Sequence, residues 1–452
     1  MLSNLVCLGR HTITGLLCTS GRQFHDWTAD YRIYAKPRVD LATIFSNVRA
    51  GILDFLEPAK PLIVAMDDSI LRKSGKKTPG VAYRRDPLGP PFSVNFVRAQ
   101  RILQLSAALP SGPMPAAARM IPVDFVHAPT PPKPRKQASP EAWQQYHRLR
   151  QSLNINLQGA KRLHLLRTQL DLNEHQSDRP LWVSVDGRFT NSTTLKNLPD
   201  RTMLIGRIRG DAKLYFLPSR DAGTSVGRKR SYGKRAPTPH QLQVDQNVPW
   251  KYIPAFACGK IHHFKIKTLA PLRWRPAGAE HNLRLIVVAP LGYRIRKDSK
   301  LLYRKPAYLI GTDPDCPLEK VLQAFIWRWD IEVNLRDEKQ LVGVGEAQVR
   351  NQRSVETAPA LAVAAYAILL LAAARAFGPS DIPNLLPLPK WRRSQSRQRA
   401  STGDLISHLR AELMAEAIHA GHFSGFSVSK LADVKPEKYP IHFPSAMVYA
   451  TR

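Results

Sequence analysis

Two short apolar runs, each ended by an aspartate, constrain this chain more than any other feature. Pro61-Leu-Ile-Val-Ala-Met66 runs into Asp67, and Leu181-Trp-Val-Ser-Val185 runs into Asp186. Runs of this length are too short for core helices and read as buried strands. A carboxylate at the end of such a strand is fixed by a rigid element, while the loop beyond it admits a substrate. Local readings compete: Asp67-Asp68-Ser69 could cap a helix or form a turn, and so could Asp186-Gly187.

A third acid lies in different surroundings. Phe325, Arg328, Glu332, Arg336 and Lys339 recur at helical spacing on a segment predicted as one helix from Pro317 to Val342. Helical geometry confines them to roughly 80° of arc along about 21 Å. One acid among three bases makes a poor hydrophobic seam. It suits a helix lying along a phosphate backbone, with Glu332 at the reacting phosphate. The plainer reading is a solvated face on which Glu332 pairs with Arg328 and Arg336.

Asp67, Asp186 and Glu332 are the donor type that hard divalent cations prefer, and neither His nor Cys is required. Two Mg²⁺ (or Mn²⁺) ions about 4 Å apart would stabilise the attacking and leaving oxygens of an in-line displacement on a phosphodiester.

The charge balance agrees. Lys and Arg number 67 against 35 Asp and Glu, a formal +32. Such a surplus repels itself in a compact fold unless a polyanion is the usual partner; nucleic acid comes first and a membrane surface second. Two basic runs are expected as flexible phosphate-binding segments: Arg228-Lys-Arg230 with Lys234-Arg235, and Lys390-Trp-Arg-Arg393 with Arg397 and Arg399. Unpaired surface loops are the alternative.

Four cysteines without a CxxC pair give neither a zinc signature nor a disulfide framework, and fit a reducing cytoplasm. Arg10 and His11 interrupt the apolar N-terminus before a signal-peptide core could form. The apolar run from Ala358 to Ala374 is shorter than the roughly 20 residues of a membrane span. It is expected as a buried helix, with no membrane partner.

A chain of 452 residues suggests two or three domains. Residues 1–60 read as helical, with Gly9 to Gly15 opening either a small DNA-binding unit or a packing helix. Residues 61–218 read as the first part of a core, 219–313 as an inserted β-rich domain and 314–377 as the second part, bearing Glu332. Residues 378–452 form a basic C-terminal region with a helix near Asp404 to Ala420. Three strands, a helix, two strands and a helix are the order of a ribonuclease-H-like α/β core.

Phe325-x2-Arg328-x3-Glu332-x6-Lys339 matches, but for its first residue, the Y-x2-R-x3-E-x6-K signature of DDE transposases of bacterial insertion sequences. Asp67-Asp68-Ser69 resembles that family's first block, whose catalytic Asp precedes a Ser or Thr by two residues, which favours Asp67 over Asp68. Val183-Ser-Val-Asp186-Gly187 resembles the second block. The resemblance covers about residues 60–375.

It implies catalytic Asp67, Asp186 and Glu332 holding two Mg²⁺ or Mn²⁺ ions, with Arg328 and Lys339 on transposon-end DNA and Arg336 on the same stripe. Phe325, in place of the signature tyrosine, loses a hydroxyl contact but keeps a ring that stacks or packs. Tyr303 and Trp274 are candidates to hold a flipped base, against the plainer reading that both belong to the core. The implied partners are double-stranded transposon ends and target DNA, handled by a homodimer in the synaptic complex at the nucleoid. Two readings stay open beside it: a nuclease of the same fold without strand transfer, and a decayed DNA-binding repressor.

Overall fold

Both apolar runs lie at the heart of one large mixed sheet in the computed structural model, which describes residues 1–75, 77–86, 89–90, 92–218, 230–295, 298–379 and 399–415. The chain opens with α1 (Leu2–Val6), α2 (Ile13–Thr19), α3 (Thr28–Ala35) and α4 (Leu41–Leu53). Four strands follow: β1 (Leu62–Arg72), β2 (Ala82–Arg85), β3 (Phe96–Pro110) and β4 (Ala118–His127). Next come α5 (Pro140–Ser152), α6 (Ile155–Asp171), β5 (Leu181–Val185), α7 (Ser192–Leu195), β6 (Thr202–Arg207), β7 (Leu214–Phe216) and α8 (Pro239–Val244). After them run β8 (Lys251–Ala257), β9 (Lys260–Trp274), β10 (Gly278–Val288), the short ribbon β11 (Gly292–Tyr293) and β12 (Leu302–Tyr303), and β13 (Ala307–Gly311). The last described elements are α9 (Leu318–Trp327), α10 (Trp329–Gln340), α11 (Gln352–Phe377) and α12 (Thr402–Ala415).

β1 is central. It pairs antiparallel with β3 and parallel with β5, and β5 pairs parallel with β6. The outer edge of β3 is shared by β2 and β4. The order β4-β3-β1-β5-β6, with only the first strands antiparallel, is consistent with a ribonuclease-H-like core. Strand alternation divides the packing. Leu62, Val64 and Met66 face a core shared with Leu163 of α6 and Val363 and Leu370 of α11. Ile63 and Ala65 face Val321, Leu322 and Trp327 of α9 and Ile331 of α10. Each fully buried aliphatic side chain contributes about 1.5–3 kcal/mol, so the pleat itself specifies which helix lies on which face.

Several expectations change. β1 does not stop at Asp67: its pairing with the long β3 carries it to Arg72, opposite Ala99. Apart from the β11–β12 ribbon, the described strands of residues 219–313 do not form a sheet of their own. β13 pairs with β6, and β10 and β9 continue from it, so they extend the core sheet. At the other end, Leu5, Val6, Phe45, Val48 and Ile52 share the core of β1 and α11, which fits the packing reading of the N-terminal segment.

The Ala-rich run forms α11, capped by Asn351, whose side chain accepts from the N–H groups of Arg353 and Ser354. α11 is long and apolar enough to cross a membrane, but 67% of its most apolar window is buried within the fold. Of the predicted basic segments, Arg228, Lys229, Lys390 to Arg393 and Arg397 lie outside the described residues. Arg399 is not free for phosphate. It donates to Ala118 O at 2.7 Å and to Asp330 Oδ2 at 2.8 Å, tying the chain to β4 and α10.

Candidate active site

Asp67 and Asp186 follow a matched pair, Met66 opposite Val185, on adjacent parallel strands. Parallel neighbours lie about 4.8 Å apart, and residues in register share a face. That face belongs to α9, because Ser184, two residues before Asp186, donates its Oγ hydrogen to Ala324 O at 3.0 Å. Asp186 is also a turn residue. Its Oδ1 accepts from the N–H groups of Arg188 (2.9 Å) and Phe189 (3.3 Å), and Thr190 Oγ1 donates to Asp186 O at 2.8 Å. Strand end and turn are therefore both correct, and the turn aims the carboxylate. Gly206 on β6 makes room for it, since a Cβ there would lie 2.1 Å from Thr190 Oγ1.

Asp67 is held by its own strand, with Oδ1 accepting from Asp68 N at 2.8 Å. Burial, and then the charge of Asp186, raise its pKa to about 7, while Arg328 opposes the rise. An acid in this position gains from any cation that reaches it.

Arg328 is the cation present. Its Nη1 lies 3.8 Å from Asp67 Oδ2 and its Nη2 donates to Glu332 Oε1 at 3.0 Å. The ring of Phe325 packs beneath, 5.7 Å from the guanidinium carbon. Asp186 thus acts on Asp67 by its charge, and Glu332 is joined to Asp67 through Arg328 and does not meet it directly. Among the described residues no three His, Cys, Asp or Glu side chains close into a ready cage for an ion. The donor set still fits a hard divalent cation: carboxylate oxygens from three rigid elements, one of them buried and facing a second like charge. To join such a set, Glu332 would have to leave Arg328.

The single predicted helix is two. Arg328 keeps helical angles (φ −49°, ψ −35°) but ends α9 and precedes α10, and Ile331 N donates to Arg328 O at 3.0 Å in a tightened turn. The stripe divides accordingly. Lys339 Nζ donates to Ser69 Oγ at 2.6 Å, two residues from Asp67, and burial lowers its pKa. Arg336 turns to Asp337 Oδ1 at 2.9 Å instead of Glu332, and its side chain is 58% exposed. Phe325 packs against the α9 core. Tyr303 is 66% exposed on β12, far more open than Trp274, which packs against the main core.

One part of the site escaped the sequence reading. Gln104, the cross-strand partner of Asp67, donates to Glu338 Oε1 at 2.8 Å. Asn334 donates to Ser106 Oγ (3.2 Å) and Met120 O (2.9 Å) and accepts from Tyr366 OH (3.2 Å), while Thr402 Oγ1 donates to Asp337 at 2.7 Å. These buried bonds moor α10 to the sheet, and burial raises the pKa of Glu338 to about 8. The signal was available: Gln104 and Ser106 interrupt an apolar strand, and buried polar groups demand partners.

A family model described as DDE superfamily endonuclease matches residues 2–253, more than half of the chain, and the chain belongs to that family. Endonucleases of this superfamily act on DNA and generally depend on divalent metal. A search of curated proteins finds no match to the chain. The family match spans β1 and β5, and with them Asp67 and Asp186, and ends before α10 with Arg328, Glu332 and Lys339.

Proposed function

We propose that this endonuclease is the transposase of an insertion sequence. It binds terminal inverted repeats, cleaves at the transposon ends and passes the 3′-OH ends into a target phosphodiester. Synapsis of two ends calls for a homodimer in the complex. What supports the proposal is the placement of Asp67 and Asp186 after paired residues of neighbouring parallel strands, with Arg328 lying between Asp67 and Glu332.

Asp67, Asp186 and Glu332 would hold two Mg²⁺ or Mn²⁺ ions, which when bound activate the attacking oxygen and stabilise the leaving one. The chain's own residues do the rest. Strand β1 and the turn that follows β5 fix two carboxylates, so little reorganisation is needed when DNA arrives. Arg328, released from Glu332, and Lys339 beside Ser69 present positive charge to the phosphate that approaches Asp67. Arg336 and Tyr303 are open to solvent and would add contacts to DNA, and Phe325 acts by supporting Arg328.

Purified protein, incubated with DNA carrying the element's own ends and Mg²⁺, should cut at the transposon boundaries. With pre-cut ends and a supercoiled plasmid it should yield joined products. Cutting without joining would assign the nuclease reading. Tight binding without Mg²⁺-dependent cutting would assign the repressor.

A further inference from the structure

β1 carries acids on both faces. Asp67 faces α9 and α10; Asp68, the next residue, faces the opposite side of the sheet together with Met66. The sheet register places two arginines on that second face. Arg101 lies opposite Ile70 on β3, and Ile70 alternates with Asp68. Ala82 lies opposite Ala99, so Arg84 of β2 shares the face with Arg101. A third arginine, Arg188, leaves the turn that Asp186 initiates and puts its Nη1 3.0 Å from Asp68 Oδ2.

Three guanidinium groups from three separate segments thus bear on one carboxylate, Arg188 by direct contact and Arg101 and Arg84 through their charge from the same face. Arg101 is 9% exposed and donates through Nε to Ala128 O at 3.0 Å. Arg84 donates to Ala99 O (3.2 Å) and Thr130 Oγ1 (3.0 Å). None of those acceptors carries charge. The three arginines act on one another electrostatically, and Asp68 is the carboxylate that acts on both Arg84 and Arg101. Like charges gathered in partly dehydrated surroundings are costly unless an anion completes the set. A carboxylate matches that need only in part, whereas a phosphodiester offers two charged oxygens suited to the planar guanidinium fork.

We propose that Arg84, Arg101 and Arg188 form a phosphodiester-binding subsite that grips the DNA strand beside the cutting centre, with Asp68 serving as its internal anion until DNA arrives. The subsite rests on the reading of Asp67 and Asp186 as that centre. Arg188 links it to that centre, because its N–H donates to Asp186 Oδ1 at 2.9 Å.

The test is binding of fluorescent double-stranded DNA across a salt series, in EDTA, for the full chain and for Arg84→Gln, Arg101→Gln, Arg188→Gln and Asp68→Asn. Each arginine variant should weaken binding on the order of tenfold at low salt and flatten the salt slope by roughly one. Asp68→Asn should do the opposite, binding DNA several-fold more tightly with a steeper slope. A purely structural cluster gives the contrary result: Asp68→Asn unfolds at lower temperature and leaves DNA affinity unchanged, as do the arginine variants.

Arg188 is half exposed and lies off the strands, so its variant remains informative if Arg101→Gln fails to fold. Inorganic phosphate is the second probe. Protection of the wild type by phosphate, with DNA affinity unchanged in every variant, would assign a free-anion site and overturn the proposal. Altered DNA binding in the variants, together with a wild type that cuts no DNA, would overturn the transposase reading and leave this subsite standing.

Discussion

At the scale of single residues, Asp67 concentrates the chemistry. Its pKa, raised to about 7 by burial and by Asp186, means that the folded protein holds a proton there that the unfolded chain has released. In EDTA, stability should therefore fall as pH climbs from about 4 to 7, because a raised folded-state pKa favours folding only while the acid stays protonated. Asp67→Asn removes that slope and should be the more stable protein at pH 8, by roughly 1–3 kcal/mol. Thermal unfolding over a pH series checks this, and an unchanged slope would mean that Asp67 is not under strain. Adding Mg²⁺ or Mn²⁺ should restore stability to the wild type at pH 8 but not to the variant. Asp67 and Asp186 were legible in the sequence because an apolar run interrupted by a charge is visible in one dimension. Asp68 with its three arginines was not, since only the register of β1, β2 and β3 and the turn after β5 bring them together.

At the scale of elements, the site depends on how closely the Asp186 turn and α10 are pressed onto the sheet. Gly206→Ala would drive a methyl into Thr190 and should destabilise by about 1–3 kcal/mol while displacing Asp186. Thr190→Ala in the same chain relieves the crowding, so a double-mutant cycle should show strong coupling between the two positions. Additive effects would mean that the turn and β6 adjust independently. Glu338→Gln tests the mooring of α10. The pKa of Glu338 is raised to about 8, so its ionisation costs stability as pH rises from about 4.5 to 8. The variant should match the wild type near pH 4, exceed it progressively from about pH 4.5 and level off above about pH 8, as read by thermal midpoints.

The sequence located α9 and α10 correctly as helical but ran them together. Arg328 keeps helical backbone angles, and periodicity carries no mark of a hydrogen bond lost between two turns. The strands of residues 219–313 were likewise recognised, yet their pairing with β6 was not, because turn signals and alternation say nothing about which edge a strand joins.

At the scale of the whole molecule, one sheet runs from β2 to β7; Asp67 lies within β1, Asp186 follows β5, and Glu332 lies on helix α10. A basic chain of net charge +32 built on such a frame should bind DNA with an affinity that falls steeply between about 50 and 200 mM salt. The central claim is that Asp67, Asp186 and Glu332 act as one centre. Its most direct test compares Mg²⁺-dependent cutting of element-end DNA by the wild type with that of Asp67→Asn, Asp186→Asn and Glu332→Gln, and measures DNA binding in parallel. Each substitution should lower cutting by about 10³-fold or more while binding is retained, with double variants no worse than single ones. Wild-type cutting by Glu332→Gln, or losses that multiply across the three positions, would contradict the account.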